Sequence, residues 1–219
     1  MEGIIRKVSM KTQVYQYLRR MILFQEYRPG QRINLDELCR TLKVSNTPIR
    51  EAIGMLEKEG LVVSTPNAGF SVMTPTRKQF FDTAQATIFL LNEAYDFCRA
   101  QGLMGTVLAH MEETLAKQRM LTQAGEWVSY VETSAEFERH LIEATGNEIL
   151  LRYFREMETM RAFISSYYSN RDPEILKLFF SQHEEIWRLM KEEKVDEVKV
   201  LLQEHFYKPG LIPEELPEQ

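Results

Sequence analysis

Residues 44–60 constrain the fold more than any other segment of the chain, because they combine a helix start, an apolar face and a helix stop. Thr47 is typical of a helix cap, and Pro48 suits the first turn, where a missing N–H costs nothing. Gly60 is typical of the residue just past a helix end. Apolar residues recur between them at helical spacing, namely Ile49, Ala52, Ile53 and Leu56. The segment therefore predicts a short amphipathic helix with a polar, exposed N-terminal turn.

The flanking segments complete a pattern of three helices followed by a hairpin. A helical run is predicted over 12–26, and Asn34 is expected to cap a second short helix with Glu37 three residues later. Two β-prone runs follow at 61–64 and 70–73, separated by turn-forming residues. This order predicts a winged helix-turn-helix, whose third helix offers its N-terminal turn to the major groove of DNA. The alternative is a small helical bundle with no nucleic-acid role.

The charge distribution favours the nucleic-acid interpretation. Residues 1–75 contain 11 Lys and Arg against 7 Asp and Glu, a net charge of +4. The rest of the chain contains 16 against 25, a net charge of −9. A basic N-terminal third in an acidic chain indicates one domain that binds a polyanion and another with a different partner.

Order, spacing and residue types in four segments carry a resemblance to a known family. The segments are 27–33, 38–42, 44–53 and 56–61. They closely resemble the N-terminal domain of GntR-type bacterial transcriptional regulators, which implies double-stranded operator DNA as the partner. In that family the residues at Arg32, Asn46 and Arg50 contact DNA, and the glycine at Gly69 lets the wing approach the minor groove. The family usually has Arg at the position of Asn46, and Asn favours adenine where Arg favours guanine.

We expect three groups of DNA contacts in this domain. Base edges would be contacted by Asn46 and Arg50. The sugar–phosphate backbone would be contacted by Arg32, Ser45 and Thr47. The wing would contribute Asn67 and Gly69. Because one short recognition helix contacts few base pairs, two copies are expected to bind a pseudo-palindromic operator as a homodimer.

The remainder of the chain predicts an all-helical domain. Helices are expected over 77–100, 103–123, 126–145, 147–169, 173–194 and 197–207. The predicted fold class is therefore mainly α, with an N-terminal winged helix-turn-helix over 1–75 and a C-terminal all-α helical bundle over 76–207. Residues 208–219 are expected to form a flexible tail.

The sequence also argues against several classes of protein. No apolar run approaches the roughly 20 residues that span a bilayer, and no signal-peptide core precedes Met10. Cys39 and Cys98 are isolated, so we expect a reducing cytoplasm rather than a disulfide framework. The chain lacks a glycine-rich nucleotide loop, a cysteine-rich zinc pattern and a nucleophile elbow. We therefore expect a cytoplasmic protein that has no membrane partner and is not an enzyme.

Three ionisable residues lie within apolar faces of the predicted C-terminal helices: Glu138, His183 and His205. Burying them unpaired would be costly, so they are expected to meet one another, water, a metal or a ligand. Two His and one carboxylate can hold a divalent metal and leave positions open for a ligand. The alternative is that each His bonds to a backbone carbonyl at the edge of the core.

A second and looser resemblance covers residues 76–207. The segment 137–141, the turn at 145–147 and the two histidines are similar to the FCD effector domain of the FadR-type branch of these regulators. This resemblance implies a small carboxylate effector and one divalent metal (Zn, Ni or Mn). His183 and His205 match the family's ligands, whereas Ser134 and Glu138 stand where the family has Asp and His.

The effector contacts are also expected to differ from the family's. Family members often carry Arg in the first helix of this domain, where this chain has Phe89. Arg161 is a candidate to bind an anionic effector instead, and Ser134 is a second candidate ligand-binding residue. The alternative for Arg161 is an ion pair on the helix surface.

These expectations describe a ligand-responsive transcriptional regulator, in which relief of repression by a metabolite is the commonest outcome in the family. The alternative from another class is a metal-dependent enzyme that uses Glu138, His183 and His205.

Overall fold

A computed structural model of the protein describes residues 8–168, 173–207 and 217. Packing divides the chain into two compact units, Met1–Thr74 and Pro75–Gln219. The predicted tail over 208–219 lies outside the described residues except for Pro217, whose carbonyl accepts a hydrogen bond from the Arg77 N–H at 2.8 Å.

The first unit combines three helices with a small antiparallel sheet. The helices are α1 (Met10–Leu23), α2 (Leu35–Leu42) and α3 (Asn46–Lys58). The strands are β1 (Arg32–Ile33), β2 (Val62–Thr65) and β3 (Gly69–Val72), in the order β1-β3-β2. Strands β2 and β3 form the predicted hairpin. The sequence pattern does not predict β1, because a two-residue strand carries no recognisable alternation.

Helix α3 is anchored by its apolar face. Its four apolar residues are fully buried, namely Ile49, Ala52, Ile53 and Leu56. The prediction that Thr47 caps this helix is wrong, because the chain is already helical at Asn46 and Ser45 occupies the cap position. The Ser45 side chain makes no capping hydrogen bond. Pro48 still falls within the first turn, where backbone N–H groups have no intrahelical acceptor.

Two polar interactions hold the other helices of this unit. Asn34 caps α2 as predicted, because its side-chain oxygen accepts hydrogen bonds from the Asp36 and Glu37 N–H groups. Tyr15 of α1 donates to Glu59 Oε1, at the end of α3, over 2.5 Å. Burial and the Glu59 carboxylate raise the pKa of Tyr15 to about 12.

The second unit is all-helical in its described part. Its helices are α4 (Arg77–Ala100), α5 (Met104–Ala124), α6 (Trp127–Ala144), α7 (Glu148–Tyr168), α8 (Pro173–Lys191) and α9 (Val195–Tyr207). All six agree with the predicted helices to within three residues at each end. Gly125 and Gly146 follow α5 and α6 with φ of +68° and +66°, a conformation that strains residues with a β-carbon. The predicted fold class is confirmed.

Polar residues are buried in this second unit beside its apolar core. The core is contributed by α4 to α9 and includes Tyr95, Phe137, Phe154, Ile186 and Leu202. The buried polar residues include Gln118, Glu138, Gln182, His183 and His205. None of the helices described in either unit has the length and apolar character needed to cross a bilayer.

Candidate functional site

The polar entrance of α3 is exposed, opposite the buried face of the same helix. Ser45, Asn46, Thr47 and Arg50 are all exposed to solvent. The N-terminus of a helix also carries a partial positive charge, which favours a nearby phosphate. The arrangement can therefore present two base-contacting side chains and two backbone-contacting hydroxyls from one helical turn.

The wing places the other three predicted residues near the hairpin tip. Asn67 and Gly69 are exposed and have φ of +61° and +86°, which forms the tight turn between β2 and β3. Arg32 is exposed on β1, whose partner is β3. A β-carbon at Gly69 would lie 3.7 Å from Arg32 Nη2, so this cationic side chain runs alongside the wing.

The three predicted metal ligands meet in the second unit. Glu138 comes from α6, His183 from α8 and His205 from α9, and all three are less than 10% exposed. Glu138 Oε1 lies 3.2 Å from His205 Nε2 and 3.7 Å from His183 Nε2. The two Nε2 atoms lie 3.3 Å apart. The alternative, that each histidine bonds to a backbone carbonyl, is wrong, because both imidazoles contact other side chains.

Two glutamines fix the orientation of the imidazoles. The Gln118 side-chain amide donates to the Thr133 carbonyl, so its Oε1 faces His183 Nδ1 at 2.9 Å and accepts the imidazole N–H. Gln182 Oε1 lies 3.0 Å from His205 Nδ1 in the same way. Each ring therefore turns its Nε2 lone pair towards Glu138. Such outer hydrogen bonds set the tautomer of metal-binding histidines.

Arg161 completes the cluster from α7. Its Nη2 donates to Glu138 Oε2 over 2.6 Å, so Oε1 is left to face the two imidazoles. The guanidinium also lies over the Phe206 ring, 4.7 Å from its centroid. The side chain of Arg161 is only 17% exposed and that of Glu138 3%. The pair is thus a largely buried one rather than the surface ion pair that the sequence allowed.

Burial and charge set the protonation of the cluster. Burial alone would raise the pKa of Glu138, but the Arg161 cation holds that pKa well below its usual value. Burial lowers the pKa of His183 to about 4, so this imidazole is neutral at neutral pH. An anionic oxygen and a neutral imidazole lone pair therefore converge on the same point.

The donor set fits one divalent ion. Three donors that lie about 2.1 Å from a tetrahedral ion are about 3.4 Å from one another. The observed separations of 3.2, 3.3 and 3.7 Å bracket this value. Converging lone pairs repel one another unless a cation lies between them, and nitrogen and carboxylate donors suit zinc, nickel or manganese.

A cavity of about 120 Å³ adjoins the cluster. It is lined by Glu138, His205 and both predicted effector-binding residues, Ser134 and Arg161. Tyr130 also lines it, and burial together with the Glu138 carboxylate raises the pKa of this tyrosine, which keeps its hydroxyl protonated. The cavity is thus lined by the Glu138–Arg161 ion pair, by the Tyr130 hydroxyl and by His205, a second candidate metal ligand beside Glu138.

Sequence reasoning missed three contributors to this site. Tyr130 lies one turn before Ser134 and two turns before Glu138, so their common helical spacing could have revealed it. Gln118 and Gln182 carry no such signal, because they act through histidines on other helices.

Two family models match the chain. Residues 10–72 match the bacterial regulatory proteins of the gntR family, and residues 100–208 match the FCD domain. The Nta operon transcriptional regulator of Aminobacter aminovorans is 30% identical over 190 residues, which cover 86% of this chain and 87% of that protein. The Uxu operon transcriptional regulator of Escherichia coli K12 is 29% identical over 153 residues, which cover 64% of this chain and 60% of that protein.

Solved structures share the fold. A putative GntR transcriptional regulator from Rhodococcus sp. RHA1 has a TM-score of 0.75 at 17% identity, covering 90% of this chain and 93% of that one. Escherichia coli McbR/YncC has a TM-score of 0.73 at 20% identity, covering 91% and 94%. The alternative of a metal-dependent enzyme is set aside by the matched families and relatives. The chain belongs to the GntR family of bacterial regulatory proteins and is a transcriptional regulator with an FCD effector-binding domain.

Proposed function

We propose that this regulator binds a pseudo-palindromic operator as a homodimer, and that a small carboxylate effector in the FCD domain relieves repression. The protein would act in the cytoplasm and belong to the FadR-type branch. The observation that carries the proposal is the cavity beside the buried Glu138–Arg161 pair and the two histidines, because it offers cationic and metal-type groups to an anion. An effector can control DNA binding only if its affinity differs between two arrangements of the protein.

The DNA contacts follow from the exposed surface of the first unit. Asn46 and Arg50 contact base edges from the entrance of α3. The sugar–phosphate backbone is contacted by Arg32, Ser45 and Thr47. The wing is placed on the minor groove by Asn67 and Gly69. Because one helical turn spans few base pairs, each copy of the protein would contact a short half-site of the operator.

Exposed aromatic residues of the second unit support the homodimer. Phe89 and Phe97 lie two turns apart on the outer face of α4 and are 61% and 45% exposed. Ile149 and Tyr153 are 54% and 51% exposed on α7, a helix that packs against α4. Aromatic side chains are enriched in protein interfaces. We therefore assign this surface to the contact between the two copies.

One divalent ion is held by Glu138, His183 and His205 in this proposal. When bound, it would supply a Lewis acid with open positions for an effector carboxylate. Ser134 and Arg161 contact the same effector from α6 and α7. Ser134 contributes a neutral hydroxyl where the family has Asp, whereas Glu138 contributes a carboxylate where the family has His, so the anionic ligand moves one turn along α6.

DNA binding can be tested with Arg50→Ala. The probe is duplex DNA that the wild-type protein selects from a random pool. Loss of a base-contacting Arg should weaken specific binding by about 1–3 kcal/mol. Arg188→Ala is the control, because it removes one exposed positive charge from the second unit. Equal affinity of Arg50→Ala and wild type would contradict the assigned recognition helix.

Metal binding can be tested by elemental mass spectrometry on untagged protein purified without chelator. We expect about one ion per chain, and none after His205→Ala. His110→Ala is the control, because His110 is an exposed histidine of α5. An absence of metal from the wild type as well would overturn the metal site and leave the effector to the protein side chains alone.

A further inference from the structure

We propose that Arg161 and Tyr130 form an anion subsite in the cavity beside Glu138, and that this subsite selects monocarboxylates with a compact apolar body. The inference rests on the proposed function, because it takes the same cavity as the effector site. It goes further by naming the groups that bind the carboxylate and the chemical class of the effector.

Two buried hydrogen-bond donors in this cavity lack acceptors among the residues that the structure describes. Tyr130 is 1% exposed, and its hydroxyl has no hydrogen-bond partner among the described residues. Arg161 Nη2 bonds to Glu138, but its Nη1 is buried and has no partner within the described part of the chain. Buried polar atoms without partners are rare in folded proteins and costly. A ligand carboxylate has two oxygens and can accept from both groups.

Arg161 is held in place before a ligand arrives. Glu138 Oε2 fixes one side of its guanidinium, while the Phe154 and Phe206 rings lie 5.6 and 4.7 Å from it. The side chain therefore loses little conformational freedom when an anion binds to Nη1. Preorganisation of this kind raises affinity by reducing the entropic cost of binding.

The charge of the lining admits one anionic group. Among the described residues that line the cavity, Arg161 is the single Arg or Lys. Glu158 also lines it, but its carboxylate pairs with Arg139 over 2.9 Å. Apolar side chains make up much of the remaining lining and include Val131, Ala135, Leu176 and Phe179. In metal-free protein, a second carboxylate on the ligand would face these carbons and Glu158, with no further Arg or Lys among the described lining residues to receive it.

The size of the cavity limits the apolar body of the ligand. Its volume is about 120 Å³. An apolar protein cavity of about 150 Å³ accommodates benzene. A body of about four to seven carbons, branched or cyclic, therefore fits the space beside the carboxylate.

The test is isothermal titration calorimetry on the full chain, first loaded with zinc and then treated with EDTA. The probes are isovalerate and benzoate, with succinate as a dicarboxylate and benzamide as a neutral counterpart of benzoate. In the EDTA-treated protein we expect one or both monocarboxylates to bind, and to bind at least about tenfold more tightly than succinate or benzamide, because a charge-assisted hydrogen bond is worth at least that factor.

Tyr130→Phe and Tyr95→Phe form a matched pair of variants. Both hydroxyls are buried and lack partners among the described residues, but Tyr95 does not line the cavity. Tyr130→Phe should weaken the binding of the monocarboxylate by about tenfold, whereas Tyr95→Phe should leave it unchanged. Neither change removes a hydrogen bond between described residues, so both variants are expected to fold.

Several results would overturn the subsite. One is the absence of binding by either monocarboxylate at millimolar concentration. Another is equal binding of benzamide, or tighter binding of succinate, relative to the monocarboxylates. The last is an unchanged affinity of Tyr130→Phe for the monocarboxylate. Operator binding, measured separately, distinguishes the two proposals. A monocarboxylate that binds without changing operator affinity would support the subsite and contradict effector control. An effector of another class that releases the operator would support effector control and contradict the monocarboxylate subsite.

Discussion

The two units of this regulator place their functional polar groups in opposite environments. In the first unit, Asn46 and Arg50 are exposed at the entrance of α3. In the second, Glu138 and His183 are almost completely buried, and they bond to Arg161 and Gln118 respectively. An exposed polar residue incurs no desolvation cost, so its role depends on its own chemistry. A buried one is tolerated only with partners, so its role depends on residues from other helices.

This difference in burial determines what a substitution in each unit should change. Changes at the DNA-binding surface should alter recognition and leave folding intact. Changes in the buried cluster should alter stability and ligand binding together, because each partner removed leaves a buried group unpaired.

The largest effect is expected from Arg161→Met in metal-free protein. The substitution leaves the Glu138 carboxylate, 3% exposed, without its cation. Breaking a buried ion pair in this way costs about 3–5 kcal/mol of unfolding free energy. Urea denaturation followed by circular dichroism measures the loss.

The control for this prediction is Arg188→Met. Arg188 pairs with Glu185 and Glu192, but its side chain is 46% exposed, so its loss should lower the unfolding free energy far less than the loss of Arg161. The double variant Glu138→Gln/Arg161→Met should recover part of the stability, because it removes the uncompensated charge. Similar small losses in Arg161→Met and Arg188→Met would show that the buried pair behaves like a surface one.

Ser134→Asp should strengthen divalent metal binding. It adds an anionic oxygen one turn before Glu138 on α6, in the cavity that both residues line. An additional charged ligand should tighten zinc binding by at least about tenfold, measured by competition with a chromophoric chelator. Ser134→Asn is the control, since it has the same shape without the charge. Equal affinities of the two variants would place position 134 outside the coordination sphere.

Much of the fold could be predicted from local patterns. Apolar spacing and turn residues determine the six helices of the second unit, and the spacing in 44–60 determines α3. The meeting of Glu138, His183 and His205 was also predictable, because each lies within an apolar face and such faces converge on one core. The two-residue strand β1 was not, since its existence depends on pairing with β3.

The partners of the buried groups could not be predicted in the same way. Periodicity predicts the face of α7 on which Arg161 lies. The axial offset between α7 and α6, which periodicity does not give, determines which carboxylate Arg161 contacts. Gln118 and Gln182 likewise act on imidazoles 65 and 23 residues away in the chain. The proposed DNA-binding residues are exposed and needed no such information, which is why a local resemblance was enough to propose them.

Asn46→Arg should change recognition without changing stability. Asn suits adenine and Arg suits guanine in the major groove, so the variant should favour guanine at one position of each half-site. The expected shift is about tenfold in relative affinity, a typical discrimination for one bidentate contact. Selection from a random DNA pool measures the shift. An unchanged consensus would remove Asn46 from the base-contacting residues, and a lowered unfolding free energy would contradict its purely external role.

The smallest effect is expected from Tyr15→Phe, which tests a partly buried pair within the DNA-binding unit. The variant loses the hydrogen bond to Glu59, whose side chain is 26% exposed, so the cost should be about 1 kcal/mol. Tyr17→Phe on the same helix is the control, because Tyr17 is 36% exposed. Urea denaturation at pH 7 compares both variants with the wild type.

Alkaline pH provides a further test of the hydrogen bond between Tyr15 and Glu59. The pKa of Tyr15 is raised from 10.0 to about 12 in the folded protein, so the unfolded chain releases this proton first as the pH increases. The stabilisation is therefore complete below pH 10 and is lost as the pH rises from 10 to 12. Over that range the stability advantage of the wild type over Tyr15→Phe should shrink. A constant advantage over that range would contradict the raised pKa of Tyr15 and its link to the hydrogen bond with Glu59.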